Sequence, residues 1–397
     1  MTPSAADRAD ISGKIPLLVA TASILQISES MLPHPVPGLR FGLANIVSLI
    51  ILVQYGFKPA LTVTLLRIVV SSFIIGTFLS PGFMLSFAGG LASISVAGIL
   101  SRISDRFPVF RISPVGLSIA GAFIHNMVQL YLAYLMLIKH PGIFFLIPWL
   151  AFGSVILGAV SGFIASGVIK QLTANGEAVS VSVQSKPAYK NRTYQPGTSW
   201  LHTCRPEIKF TAILGVTLMI VLIESLVLYG ALFIIILILV PTTGLRYKTT
   251  FHVIKRISLI VLSSFLLPVY FNSGTRILVE TAYYTLHQEA FITGCVFATR
   301  IVILALISSI LAQTTRPDAI TAGIRTFIRP FDRVGMNSST IAQILSDSLR
   351  DLPKVWHEIR SAMAALLKGR KRNIKTLKLV VTELFVYVFS TKNGRPR

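Results

Sequence analysis

Apolar positions along this chain fall in long unbroken runs, not in alternation with polar ones. The runs are Ile15–Ile27, Phe41–Val53, Leu61–Leu79, Phe83–Leu100, Val115–Ile138, Ile143–Ile169, Phe210–Val240, Ile257–Phe271 and Phe291–Ala312. A helix needs about 20 apolar residues to cross the hydrocarbon of a bilayer. Some runs meet that length, and the shorter ones must borrow flanking polar residues. A membrane β-barrel would alternate in segments of about ten residues, so the pattern predicts helices. Gly and Ser recur inside the runs, as expected where helices approach closely in lipid. The expected fold is therefore all-α and polytopic: about six spans, a polar break, about four further spans and then amphipathic helices.

The break covers residues 173–204, which are polar and include Gly176, Pro187, Pro196 and Gly197. It reads as a cytoplasmic linker between a first module, 1–172, and a second, 205–397. In the second module the spans are expected over 205–313 and cytoplasmic helices over 314–397. Phe210–Val240 is half as long again as one bilayer crossing at a rise of about 1.5 Å per residue. It predicts a hairpin of two short spans, with Glu224 and Ser225 near its middle; a single tilted helix is the alternative. Beyond Gln313 the period becomes helical and amphipathic. Ile320, Ile324, Phe327, Ile328 and Phe331 form one stripe, and Ile341, Ile344, Leu345, Leu349 and Leu352 another, with Arg325, Arg329 and Arg333 on other faces. Pro317, Pro330 and Pro353 are expected to start or break these helices. Too charged to span and too apolar to lie free in water, they should lie along the membrane surface or on a partner. Leu379–Phe389, which contains Glu383, reads as a further amphipathic helix.

Charge sharpens this picture. Only 13% of residues are charged and 53% are hydrophobic, against about 25% charged in soluble domains. A net charge of +22 would point to nucleic acid in a soluble protein. Here the cations sit in connections, so no nucleic-acid partner is expected and the lipid bilayer is. With a cytoplasmic N-terminus, the inner loops carry Lys58, Arg102, Arg106, Arg111, Lys170, Lys186, Lys190 and Arg192, and the outer ones Arg40 and Lys139. The two cysteines, Cys204 and Cys295, imply no disulfide framework. No secretory cleavage pattern follows the first apolar run, which reads as a retained span. The Asn191–Thr193 sequon has no meaning in a cytoplasmic linker.

Polar groups inside spans are costly unless paired or facing a cavity, so they are the site candidates. In the first module these are Glu29, Asn45, Gln54, Arg67, His125, Asn126 and Gln129. His125 and Gln129 share a helix face, and Asn126 neighbours Gln129 on it. Such a stripe either lines a ligand pocket or only bonds helices together. Arg67 and Glu29 either pair or face a ligand. Ser154, Gly158, Gly162 and Ser166 recur every fourth residue, a small-residue seam for close packing within the module or against the second one. Enzymatic readings fare poorly. There is no Asp-rich motif for Mg²⁺ and diphosphate, no P-loop around Gly13–Lys14, and no Cys/His set at metal spacing. The chain carries no expected cofactor, and ATP would be hydrolysed by separate subunits.

Several motifs resemble known families. Glu29–Ile46, Gly56–Ala60, Leu66–Arg67, Ala88–Gly90, Ser113–Gly116, Gly121, His125–Asn126 and Gln129 resemble the Gx transporter family, often labelled heptaprenyl diphosphate synthase component I. Its members look like substrate-capture (S) components of energy-coupling factor (ECF) transporters, which are six-helix bundles. The second module resembles the transmembrane coupling (T) component of those transporters, through Arg205–Lys209, Thr314–Pro317, Arg329–Gly335, Leu349–Pro353 and Glu358–Arg360.

The resemblance implies a small-molecule substrate bound in the first module at Glu29, Arg40, Asn45, Arg67, His125, Asn126 and Gln129, with the loop Pro33–Arg40 as a lid or an ordinary connection. It implies ABC-type ATPase subunits as partners, met by Arg329, Arg333, Arg360, Lys368 and Arg370. Lys368 stands where the family's ATPase-contacting motif has Arg, keeping the charge but losing the bidentate fork; the second such motif is not found. Two rival readings remain: a membrane accessory subunit of isoprenoid synthesis, and a secondary transporter. The latter would need buried charge in the second module, where Glu224, Glu280 and Arg300 are each expected near a helix end.

Overall fold

The computed structural model describes residues 5–30, 42–107, 109, 111–138, 141–174, 194–223, 225–271, 276–280, 285–334 and 337–367. The protein is an all-α polytopic membrane protein, with one small β-ribbon among the described residues. Helices α1 (Ala5–Ser30), α2 (Leu43–Tyr55), α3 (Phe57–Ile75), α4 (Pro81–Arg106), α5 (Pro114–Ala133) and α6 (Ile147–Ala174) form the first bundle. A π-helical turn, Tyr134–Ile138, extends α5, and a 3₁₀ turn, Pro141–Leu146, leads into α6. Then follow a single turn α7 (Trp200–Thr203), α8 (Pro206–Leu222), α9 (Leu226–Thr242), α10 (Tyr247–Phe271), strands β1 (Ile277–Glu280) and β2 (Thr285–His287), α11 (Gln288–Thr314), α12 (Pro317–Ile328) and α13 (Ser338–Leu367).

Among the described residues, five segments are long and apolar enough to cross a bilayer: α3, α4, α5 with its π turn, α6 with the turn before it, and α11. α2, α9 and the Ile257–Phe271 part of α10 are apolar but shorter. The outer faces are those of a protein in lipid. Phe145, Trp149, Phe152 and Phe163 on one side, and Val227, Ile234, Ile238, Leu262 and Tyr270 on the other, are all exposed. Apolar area on this scale is not left open to water by a soluble monomer. Inside the helices, hydroxyls return to their own backbone, as Thr21 does to Leu17, Ser23 to Val19 and Ser166 to Gly162. This hides a polar group without needing a second helix.

Gly56 joins α2 to α3 at φ 90°, a left-handed conformation that suits glycine. Phe210–Val240 is a helical pair, broken between Leu222 and Leu226. Pro317 opens α12 and Pro330 lies in the 3₁₀ turn after it, but Pro353 sits inside α13, which runs through it. The ribbon between α10 and α11 was not foreseen from the apolar pattern; its short antiparallel strands lie in the connection, with β1 exposed.

The amphipathic helices pack on other elements of the chain. Leu345, Leu352, Val355 and Ile359 of α13 are buried in the same core as Leu18, Val19 and Ala22 of α1. α13 packs chiefly on α1 and α12, with further contact to α3. α12 packs on α8, where Gly323 leaves room for the Phe210 ring. Ile320 and Ile324 of α12 and Leu345 and Leu352 of α13 are covered from within the chain, while Phe327 is exposed.

Candidate functional site

Six helices surround a cavity of about 90 Å³ in the first bundle, lined by residues from each of α1 to α6. Glu29, Asn45, Arg67, His125 and Asn126 all face it, among hydroxyls of Ser48, Ser93 and Ser161. An apolar cavity of about 150 Å³ admits benzene, so this volume suits a compact polar group or a few waters. Gln54 does not line it. Arg40 and the loop 33–40 lie outside the described residues.

Arg67 is 4% exposed. Its Nη1 donates to Gln26 Oε1 at 3.0 Å and its Nη2 to Asn45 Oδ1, so α3 is tied to α1 and α2 at the cavity wall. Glu29, equally buried, accepts from the backbone N–H groups of Gly42 (2.8 Å) and Leu43 (3.1 Å). It thereby caps the start of α2 from α1, where the N-cap Gly42 has no side chain to do so. Sequence reasoning placed Glu29 at the site but not in this capping role.

On α5, Gln129 and His125 bond each other at 2.9 Å, and Asn126 donates to Ser154 of α6 at 2.8 Å. Gly89 of α4 makes room for them: a Cβ there would stand 3.0 Å from Gln129 and 3.1 Å from His125. Asn126 both lines the cavity and bonds α5 to α6. Gln129 faces a second, larger cavity of about 520 Å³ between the first bundle and α10–α11. The two cavities share Gln26, Glu29, Ile68 and Ser86 in their walls. The small-residue seam packs within the module, on α5. A Cβ at Gly158 would lie 2.7 Å from Ile119 Cα, and one at Gly162 2.6 Å from Val115 Cα.

In the second module the motif residues converge. Lys209 Nζ donates to the Thr314 carbonyl at 3.1 Å, closing the end of α11 from α8. Gln313 receives Gln195 Nε2 at 2.7 Å and bonds Ser309. Of the coupling candidates, Arg329, Arg333 and Arg360 are exposed, while Lys368 and Arg370 lie outside the described residues. Asp332 sits beside them and accepts from the Ser338 hydroxyl and amide, both at 2.7 Å. Those bonds, aided by Arg329 and Arg325, hold its carboxyl below the usual range.

Two expectations about buried charge change. Glu280 is exposed on β1, and Glu224 lies outside the described residues. Arg300 is not near a helix end: it stands in the middle of α11 and is fully buried. Its central place in the run Phe291–Ala312 is legible in the sequence; its partners on α5 and α9 are not.

These features define a multi-pass membrane protein with a polar cavity inside one helical bundle and an exposed basic surface on helices attached to another. Residues 18–168 match the family described as heptaprenyl diphosphate synthase component I, and residues 197–391 the cobalt transport protein family CbiQ. The chain is 28% identical over 172 residues to the energy-coupling factor transporter transmembrane protein EcfT of Listeria innocua, covering 43% of this chain and 65% of that protein. It is 27% identical over 209 residues to EcfT of Bacillus selenitireducens, covering 49% and 76%. With EcfT of Bacillus subtilis the figures are 26% over 204 residues, 49% and 77%. The first of these matches spans just under two thirds of the relative's length. The chain thus fuses an S-like module to a T-like module, and its relatives are membrane components of transporters.

Proposed function

We propose that the protein is the membrane subunit of an ATP-driven importer. The first module captures a small polar solute, and the second couples it to separate ABC-type ATPase subunits. One observation carries the reading: a cavity among α1–α6 with charged and amide side chains in its walls, in the same chain as a segment similar to transporter transmembrane proteins. Arg67, Asn45, His125 and Asn126 supply donors and acceptors in that cavity, which favours a hydrogen-bonding solute. The exposed Arg329, Arg333 and Arg360 would meet the ATPases, and Lys368 and Arg370 would extend that surface. The basic end of the first bundle supports a cytoplasmic N-terminus and linker. There Arg102 stacks 5.5 Å above the Phe57 ring, next to Lys58.

Mass spectrometry of the ligand that co-purifies in mild detergent identifies the solute. Proteoliposomes holding the chain and ABC-type ATPases should then accumulate it only with ATP. Absence of ATP-dependent uptake with active ATPases present would sink the reading. The similarity of residues 18–168 to heptaprenyl diphosphate synthase component I favours a second possibility, an accessory subunit anchoring a soluble prenyl diphosphate synthase. Co-purification separates the two: ATPases come down with the chain in the first case, and a synthase in the second.

A further inference from the structure

Arg300 has no part in the cavity or the basic surface, yet it is fully buried among aliphatic neighbours such as Ile301, Ile303 and Leu304. Its Nη1 donates to the carbonyls of Met136 (3.3 Å) and Leu137 (3.4 Å). Both belong to the π-helical turn that extends α5. The last carbonyls of a helix lack partners within it. A cation placed there satisfies them and opposes the negative end of the helix dipole. Here the capping cation comes from the other module.

A second guanidinium nitrogen is held as well. Nε donates to the Tyr229 hydroxyl at 3.1 Å, and that hydroxyl reaches the carbonyls of Ile220 (2.8 Å) and Ile223 (2.7 Å) at the end of α8. The Phe297 ring lies 5.3 Å from the guanidinium carbon. One side chain therefore ties the ends of α8 and α5 to the middle of α11. A second grip lies further along α11, where Ser308 donates to the Phe78 carbonyl at 2.6 Å in the turn between α3 and α4. Leu79, next in that turn, has φ 59°, which a non-glycine residue adopts only at a cost. In both grips α11 holds backbone of the first bundle where its helices end.

We propose that Arg300 is a positioning residue: a cap supplied across the module boundary that sets the end of α5, and with it the His125–Gln129 face, relative to α11. Its role in transport rests on the importer reading, in which movement of α11 reaches the pocket through this cap.

The test uses the full chain in mild detergent without ATPases, so its outcome is separate from that of the uptake experiment. Cys204→Ser and Cys295→Ser remove the native thiols, and Ala122→Cys, on the cavity wall, adds a reporter. Arg300→Met is expected to speed amide exchange over residues 134–138 by about tenfold, the effect of losing charge-assisted hydrogen bonds on a local opening. It should also change the maleimide labelling rate of the reporter by about threefold. Tyr229→Phe, which keeps the ring, should move both in the same direction by less. Faster exchange confined to α8, α9 and α11, with the reporter unmoved, overturns the proposal. Should Arg300→Met not yield a monodisperse protein, Tyr229→Phe and Arg300→Lys decide: unchanged exchange at 134–138 in both overturns it equally.

Discussion

At Arg67 two amides from different helices hold one guanidinium, so its loss is felt beyond its own position. Removing a hydrogen bond to a charged group costs about 1.5–3 kcal/mol. Arg67→Met should therefore lower the melting temperature in detergent and strip the co-purifying ligand, as scanning calorimetry and mass spectrometry would show. Arg67→Lys keeps the charge but not the planar fork, so it should retain stability better than ligand. Glu29→Gln keeps an acceptor for one of the two N–H groups at the start of α2 and loses the charge. A cost of about 0.5–2 kcal/mol, the scale of helix caps, is expected in thermal unfolding. The candidates on α1, α2, α3 and α5 were legible because polar groups are expensive in lipid and must be somewhere useful. The capping duty of Glu29 was not legible. Its partners are backbone amides thirteen and fourteen residues on, and a backbone N–H leaves no mark in a sequence.

Among elements, the seam on α6 was visible as a four-residue period of small residues, but its partner was not. The atoms it meets are backbone atoms of α5, which any sequence supplies. Gly162→Leu must push α5 and α6 apart, and overpacking of this kind costs about 1–3 kcal/mol. Its thermal unfolding should show the loss, with a larger effect than the same change at Gly215, which has open space around it. The corner between α12 and α13 carries a pH dependence of known sign. Asp332 has a folded pKa below its unfolded one, first through Ser338 and then through Arg329 and Arg325. Its contribution is thus full above the unfolded value of about 3.9 and vanishes as pH falls through the folded one. Exchange protection at the start of α13 should be flat from about pH 7 to 5 and fall below about pH 4. Asp332→Asn should abolish that fall. Pro353 shows the limit of local rules: a proline marks a probable break, and packing of α13 on α1 carries the helix through it.

On the scale of the whole molecule, the amphipathic stripe of α13 announced a buried face but not what buries it. Periodicity records that a side is dry, and the surface opposite belongs to a helix more than three hundred residues earlier. Leu352→Asp, which places a charge in that contact, should free α13 and raise its amide exchange. On the proposed importer function, it should abolish ATP-driven uptake while the first module still retains a bound solute, since the cavity walls come from α1 to α6 alone. Loss of the ligand as well would show that the arm supports the pocket directly. The pairing of α1 with α13 also bears on how the chain is made. At about 5–20 residues per second, on the order of 15–60 s separates synthesis of the two helices. Until then one flank of α1 has no partner, and every nascent chain passes through a stage open to chaperones and membrane proteases, which closes only when the far end of the protein arrives.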